Sequence, residues 1–193
     1  MVVRCVAAAP RCADRSMTKL GIISDSHGRT ARTRQALHLL LARGAERIIH
    51  LGDVESEAIL DLLVGYDATV VFGNCDDERS LARYAQALGI RVVHPAAIIE
   101  IKPSAVDLSA RDASAGLARS IRIGVTHGHL EHEVSRLLAD KVDVLFHGHT
   151  HEIRDEQVGC TRVMNPGALH RAARYTVMLF DPSTGHAEWL DVE

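Results

Sequence analysis

Seven residues of this chain carry side chains that bind divalent cations and stand just after apolar runs: Asp25, His27, Asp53, Asn74, His127, His149 and His151. Carboxylate and imidazole donors together favour Mn, Fe, Zn, Ni or Co over Ca or Mg. The set is too large for one tetrahedral ion and suits two ions that share a bridging carboxylate. Two such ions, held ~3.5–4 Å apart, clamp a phosphoryl group for in-line attack. The charge count agrees. Two divalent ions less Asp25 and Asp53 leave a surplus of two positive charges. A bridging hydroxide removes one, and a phosphodiester monoanion would cancel the other. Asn74, being neutral, preserves a surplus that another Asp would erode.

The elements that must position these groups can be read from the apolar pattern. Leu20–Ile23 reads as a buried strand ending in Asp25-x-His27-Gly28. Residues two apart on a strand point the same way, so Asp25 and His27 would project together from its C-terminal end. Gly28 leaves room there and permits positive φ. A helix is expected over 30–43, with Gly44 as its C-cap, then a strand at 47–51 followed by Gly52-Asp53. Ser56 could cap a helix over 57–64. The third strand, 68–72, ends in Gly73-Asn74-Cys75-Asp76, and a helix follows over 77–88. This alternation implies parallel crossovers, which bring the strand tips to one edge of a sheet, where ligands bind.

Beyond it, short strands are expected at 91–94 and 97–101. A strand at Ile121–Thr126 leads into His127-Gly128-His129, a helix covers Glu131–Ala139, and a buried strand at 142–146 ends in His147-Gly148-His149-Thr150-His151. Segments 152–158, 161–164, 175–180 and 187–192 read as an antiparallel meander. His127 is preferred to His129 as a ligand because it ends the strand. His147 is expected behind the ligands or in the core, and His38, His50, His94, His132, His170 and His186 are expected at the surface or in the core.

Composition narrows the function classes. At 193 residues, 47% hydrophobic and 24% charged, the chain is expected to be one soluble domain spanning 17–193, with 1–16 a flexible tail. A net charge of -3 and 4% aromatics give no signal for nucleic acid, and no apolar run reaches membrane-spanning length. Cys5, Cys12, Cys75 and Cys160 form no C-x-x-C pair, so a reducing compartment, the cytoplasm, is expected. Residues 103–120 lose periodicity and read as a surface loop.

Asp-x-His, Gly-Asp, Gly-Asn-x-Asp, His-Gly-His and Gly-His-Thr-His, in that order, resemble the calcineurin-like metallophosphoesterase superfamily. The likeness is nearest to its small YfcE-type phosphodiesterases, relatives of the retromer subunit Vps29, and runs from about Lys19 to the C-terminus. It implies a four-layer α/β/β/α sandwich with two mixed β-sheets. It also implies one metal site from Asp25, His27, Asp53 and His151 and another from Asp53, Asn74, His127 and His149. The activity implied is hydrolysis of a small phosphodiester by a bridging hydroxide, with two divalent transition-metal ions as cofactors. Mn2+ is the expected activator, and Zn2+, Ni2+, Fe2+ or Co2+ are compatible. Asn74, Asp76 and His127 are the catalytic candidates, and Gly167, in Asn165-Pro166-Gly167, the substrate-binding one. Asp76 would otherwise cap the next helix. Ala168 stands where the family usually has Ser, and its following Arg could be Arg171 or Arg174. Cys75 replaces the proton-donating His of many superfamily phosphatases, which favours diesters or good leaving groups. As a small thiol it is expected to fill buried space. A phosphomonoesterase and a protein-binding scaffold are the alternatives, and a homo-oligomer is compatible with either.

Overall fold

The computed structural model describes residues 18–102 and 120–193; the expected tail, 1–16, and nearly all of the 103–120 loop lie outside the described residues. β1 (Leu20–Ile23), β2 (Arg47–His50), β3 (Asp67–Val70) and β4 (Arg91–Val92) pair in parallel. They are linked by α1 (Thr30–Ala42), α2 (Glu57–Asp61) and α3 (Glu78–Ala87). β1 to β3 are covered on both faces, which is why they read as continuous apolar runs. Ser56 caps α2, its Oγ accepting from the Ala58 N–H at 3.2 Å. α2 is shorter than the pattern suggests, because residues 62–65 tighten into i→i+3 turns ahead of Gly65.

A second sheet holds β5 (Ala96–Ile101), β6 (Ile121–Thr126), β7 (Val144–Phe146), β8 (Ile153–Val158) and β9 (Thr161–Pro166), in the order β5-β6-β7-β9-β8. α4 (Glu131–Ala139) carries the chain from β6 to the parallel β7. The expected antiparallel meander over 152–192 is not what forms. β8 and β9 make one hairpin, and β9 joins β7 in parallel. β10 (Thr176–Asp181) and β11 (His186–Asp191) make another hairpin, which crosses to the first sheet and lays β10 antiparallel on β1. Alternation reports pairing within a hairpin and is blind to which sheet the hairpin joins. The apolar run Val177 to Phe180, buried throughout, decides it by filling the space beside β1.

Three apolar layers follow. Leu40, Ile59, Leu60 and Leu81 seat α1, α2 and α3 on the outer face of the first sheet. Ile22, Ile49, Met178 and Phe180 meet Ile123, Val125, Phe146 and Met164 between the sheets. Leu137 seats α4 on Leu145 and Val163. The architecture is the four-layer α/β/β/α sandwich of two mixed sheets. Phe146 meets Phe180 edge-on at 5.3 Å across the sheet interface, and losing a ring of this kind costs ~3–5 kcal/mol. Among the described residues, no helix is long and apolar enough to cross a membrane. The sandwich brings the C-terminal ends of β1, β2 and β3 to the same edge as those of β6 and β7.

Candidate metal centre

β1 stops at Ile23 and the backbone turns at once. Asp25, His27, Asp53, His149 and His151 all adopt left-handed conformations, with φ between 42 and 69°. Side chains other than Gly pay ~1–2 kcal/mol for this, and such residues cluster at functional sites. Strand alternation is therefore not what brings Asp25 and His27 together; the turn does it. Backbone hydrogen bonds stitch the loops of both sheets: Asp25 N to Gly52 O at 3.0 Å, His27 N to Asp53 O at 2.8 Å, and Gly148 N to His127 O at 2.8 Å. Two glycines allow the close approach. A Cβ on Gly73 would fall 2.1 Å from Asp53 Oδ1, and one on Gly148 would fall 1.9 Å from Ser24 Oγ.

Asp25, His27, Asp53 and His151 offer ligand atoms that all lie within 4.8 Å of one another. His27 Nε2 is 3.5 Å from Asp53 Oδ2 and 3.4 Å from His151 Nε2, which is 3.2 Å from Asp25 Oδ1. His127 Nε2 lies 3.4 Å from the other oxygen of Asp53, Oδ1. The tautomers follow from the partners of the opposite ring nitrogens. His127 Nδ1 donates to the Leu51 carbonyl at 2.8 Å, His151 Nδ1 faces the Arg171 carbonyl at 3.4 Å, and His27 Nδ1 donates to Glu55 Oε1 at 2.7 Å. Each neutral ring thus turns an Nε2 lone pair toward a carboxylate oxygen. Lone pairs facing lone pairs call for cations between them. Asp25 Oδ1 and His127 Nε2 are indeed buried without a hydrogen-bond partner. The donor set therefore fits divalent transition metals.

Without metal, His127 and His151 hold a proton more readily than a free imidazole does. Burial works against charging His127, but Asp53 and Asp25 outweigh it and push the imidazole up. His151 is pushed up by its contact with Asp25. Burial would raise Asp25 and Asp53, yet His151 in the first case and His127 in the second hold both carboxyls below the usual range.

The other expected residues are less tightly gathered. Asn74 and His149 are exposed. Asn74 Nδ2 turns to Cys75 Sγ at 3.4 Å, and the His149 ring stands 5.3 Å from that of His127. His129 is half-buried, 5.3 Å from His127 ring to ring. His147 is buried away from the cluster, with Nδ1 on the Gly148 carbonyl. Cys75 is exposed and not the small buried filler the sequence suggested, because the loop after β3 turns outward; partial desolvation and Asp53 push its thiol up to about 11. Asp76 does not cap α3, a role that Asp77 takes. Its two oxygens accept from Glu55 N at 2.7 Å and Gly73 N at 2.8 Å, tying two loops together. Gly167 is buried, with φ of 83° and its N–H on Asn165 Oδ1. Arg174 is paired with Asp191, and it lines with Arg171 a cavity of about 320 Å3 beside His151.

Several supporting residues carried no signal in the sequence beyond adjacency to a ligand. Ser24 Oγ donates to Asp25 Oδ2, which also accepts the His149 N–H. His50, expected only at the surface or in the core, is fully buried beneath the ligand loops. Gly52 N donates to its Nδ1, so Nε2 carries the proton and donates to Ser26 Oγ at 2.9 Å. The His170 ring lies 5.0 Å from that of His27, tilted by 55°, and accepts from Arg29.

A sequence model of the calcineurin-like phosphoesterase superfamily domain matches residues 18–185. The chain belongs to the calcineurin-like phosphoesterase superfamily. It is a phosphoesterase, a hydrolase acting on phosphate esters. This phosphoesterase is 26% identical over 152 residues to a phosphodiesterase of Methanocaldococcus jannaschii, covering 77% of this chain and 82% of that one. Phosphodiesterase YfcE of Escherichia coli is 27% identical over 168 residues, covering 79% and 80%. In fold it is similar to a solved archaeal phosphodiesterase, with a TM-score of 0.73 at 23% identity over 90% of this chain and 99% of the other. It is also similar to Entamoeba histolytica Vps29 with bound Zn2+, with a TM-score of 0.56 at 18% identity over 90% and 99%.

Proposed function

We propose that the chain is a metal-dependent phosphodiesterase with a dinuclear centre. Asp25, His27, Asp53 and His151 would hold one divalent ion, and Asp53, Asn74, His127 and His149 the other. The observation that carries this reading is Asp53, whose two oxygens lie 3.5 and 3.4 Å from the Nε2 atoms of two different histidines, His27 and His127. Two such ions, with Mn2+ the expected activator, would supply Lewis acidity toward the phosphoryl oxygens and a bridging hydroxide nucleophile at neutral pH.

The chain's own residues set the charge and the geometry. Asp25 and Asp53 supply two negative charges, which leaves the loaded centre a surplus suited to a diester monoanion. A monoester dianion overfills it. Asn74 and His149, being exposed, can reach the substrate side, whereas Asp76 holds the loops that carry Glu55 and Gly73. Cys75 stands where a proton donor to the leaving group is expected. A thiol pushed up to about 11 keeps its proton and is a weak general acid. Leaving groups must therefore depart with little help. The cavity beside His151 is open to the organic part of the ester. All seven ligands come from one chain, so no partner is needed to complete the centre, and exposed Cys75 and Cys160 suit a reducing, cytoplasmic setting.

The test is a screen of metals against matched nitrophenyl diesters and monoesters. The expected result is Mn2+-stimulated hydrolysis with kcat/KM higher on the diester. A higher kcat/KM on the monoester overturns the diester assignment. Failure to hydrolyse either, under every metal, overturns catalysis and leaves a scaffold.

A further inference from the structure

The acceptors that orient the clustered imidazoles are not alike. His127 and His151 face backbone carbonyls, of Leu51 and Arg171. Among the three, only His27 faces a carboxylate, that of Glu55, at 2.7 Å. We propose that Glu55 is a positioning residue for the centre: its carboxylate locks His27 in the Nδ1-protonated tautomer and strengthens Nε2 as a metal donor. This rests on the dinuclear reading above.

The loops are built to deliver that carboxylate. His27 N donates to Asp53 O at 2.8 Å and Gly28 N to Val54 O at 3.1 Å, so the turn after β1 runs alongside the turn after β2 in a short, fixed register. That register carries residue 55 past the ring of residue 27. Glu55 is itself in a left-handed conformation, φ 56°, and its N–H is held by Asp76 Oδ1 at 2.7 Å. Asp76 is anchored in turn on Gly73 N at 2.8 Å. The carboxylate thus sits on tied backbone, and the ring it orients has its second nitrogen 3.5 Å from Asp53. An anion behind a metal-bound imidazole fixes ring orientation and raises its basicity, and removing such a partner typically weakens metal binding ~10–100-fold. The Glu55 side chain is 39% exposed, so solvent screening places the expected loss at the ~10-fold end.

Glu55 could instead be a ligand, because a Glu55 oxygen, a His27 nitrogen and Cys75 Sγ lie within 4.8 Å of one another. The experiment separates these roles. Mn2+ binding is titrated calorimetrically on wild type, Glu55→Gln, Glu55→Ala and Cys75→Ser, and the His27 tautomer is read by imidazole 15N NMR on the metal-free proteins. Wild type is expected to bind two ions and to show the Nδ1–H form. Glu55→Ala should bind its tighter ion ~10-fold more weakly and lose the fixed tautomer, with the melting temperature little changed. Glu55→Gln, which keeps an acceptor but no charge, should retain the tautomer and fall between the two. Cys75→Ser should leave the tighter ion unaffected. Unchanged affinity in Glu55→Ala, or an Nε2–H tautomer in wild type, overturns the positioning role while leaving the dinuclear reading intact. A third ion lost in both Glu55→Ala and Cys75→Ser overturns it in favour of a ligand role. Wild type that binds no Mn2+ overturns the dinuclear reading and this role together.

Discussion

The two oxygens of Asp53 look into different surroundings. On the His27 side, Asp25, His27, His151 and Asp53 already converge within 4.8 Å, each held by backbone or side-chain hydrogen bonds. On the other side His127 is buried in place, while Asn74 and His149 stand exposed, Asn74 turned to Cys75 and the His149 ring 5.3 Å from that of His127. Under the proposed dinuclear reading, the first half is assembled before any ion arrives and the second would have to draw two ligands in. Preorganised groups lose less freedom on binding, so the first half should hold its ion more tightly and the second should exchange. Rigidity is supplied where the carboxylates are buried, and freedom is left on the exposed side, where the proposed reading has the substrate approach.

The largest effect belongs to the residue both halves share. Asp53→Asn is expected to abolish binding of both ions by elemental analysis and to cut kcat at least as much as the ~10²–10³-fold lost with one oxyanion-hole donor. Asn74→Ala touches only the exposed half. It should keep one tightly bound ion and weaken the other at least ~10-fold, a loss comparable to that from removing a supporting partner. Loss of both ions from Asn74→Ala would falsify the division.

A smaller effect tests whether the buried half is assembled by close packing. Gly73→Ala places a Cβ 2.1 Å from Asp53 Oδ1 and 2.7 Å from His127 Nε2. Overpacking of this kind costs ~1–3 kcal/mol and displaces the shared carboxylate. Gly44→Ala is the matched control: φ is 88° but nothing lies within 4 Å of its Cβ, so only the ~1–2 kcal/mol backbone strain applies. Both variants should melt lower, yet only Gly73→Ala should lose tight Mn2+ binding. Equal metal affinity in the two would mean the centre tolerates displacement.

The smallest effect concerns the support beneath the buried half. Burial pushes His50 down to about 4, with Gly52 N–H occupying the lone pair that a proton would need. Between that value and the unfolded ~6.5, the unfolded chain takes up a proton that the folded chain refuses. Stability is therefore complete above pH ~6.5 and lost as pH falls toward ~4, by about 2 kcal/mol at pH 5 from this group. His50→Gln can keep one acceptor and one donor and does not titrate. Urea midpoints of the metal-free proteins at pH 7 and pH 5 should show a smaller drop for the variant. Equal drops would remove His50 as the cause.

The candidate metal-binding residues and most strand-and-helix positions were legible in the sequence, because apolar runs mark buried strands and the Asp and His residues sit directly after them. β6 and α4 match their expected bounds, and the strand tips meet at one edge, as parallel crossovers require. The arrangement in four layers came from the resemblance; the local pattern of the last four strands pointed instead to one meander. Only the tertiary structure sent β10 and β11 to the first sheet, since strand alternation constrains faces and leaves the choice of neighbour to packing. It alone also placed Glu55 behind His27 and His50 beneath Ser26, because these contacts join loops 24 to 28 residues apart and nothing local in the sequence records them. Even the pairing of Asp25 with His27, suggested by a two-residue spacing, arises from left-handed turns that no periodicity encodes. Residue chemistry is written locally; the directions in which ligands point are set by loops pressed together from two sheets.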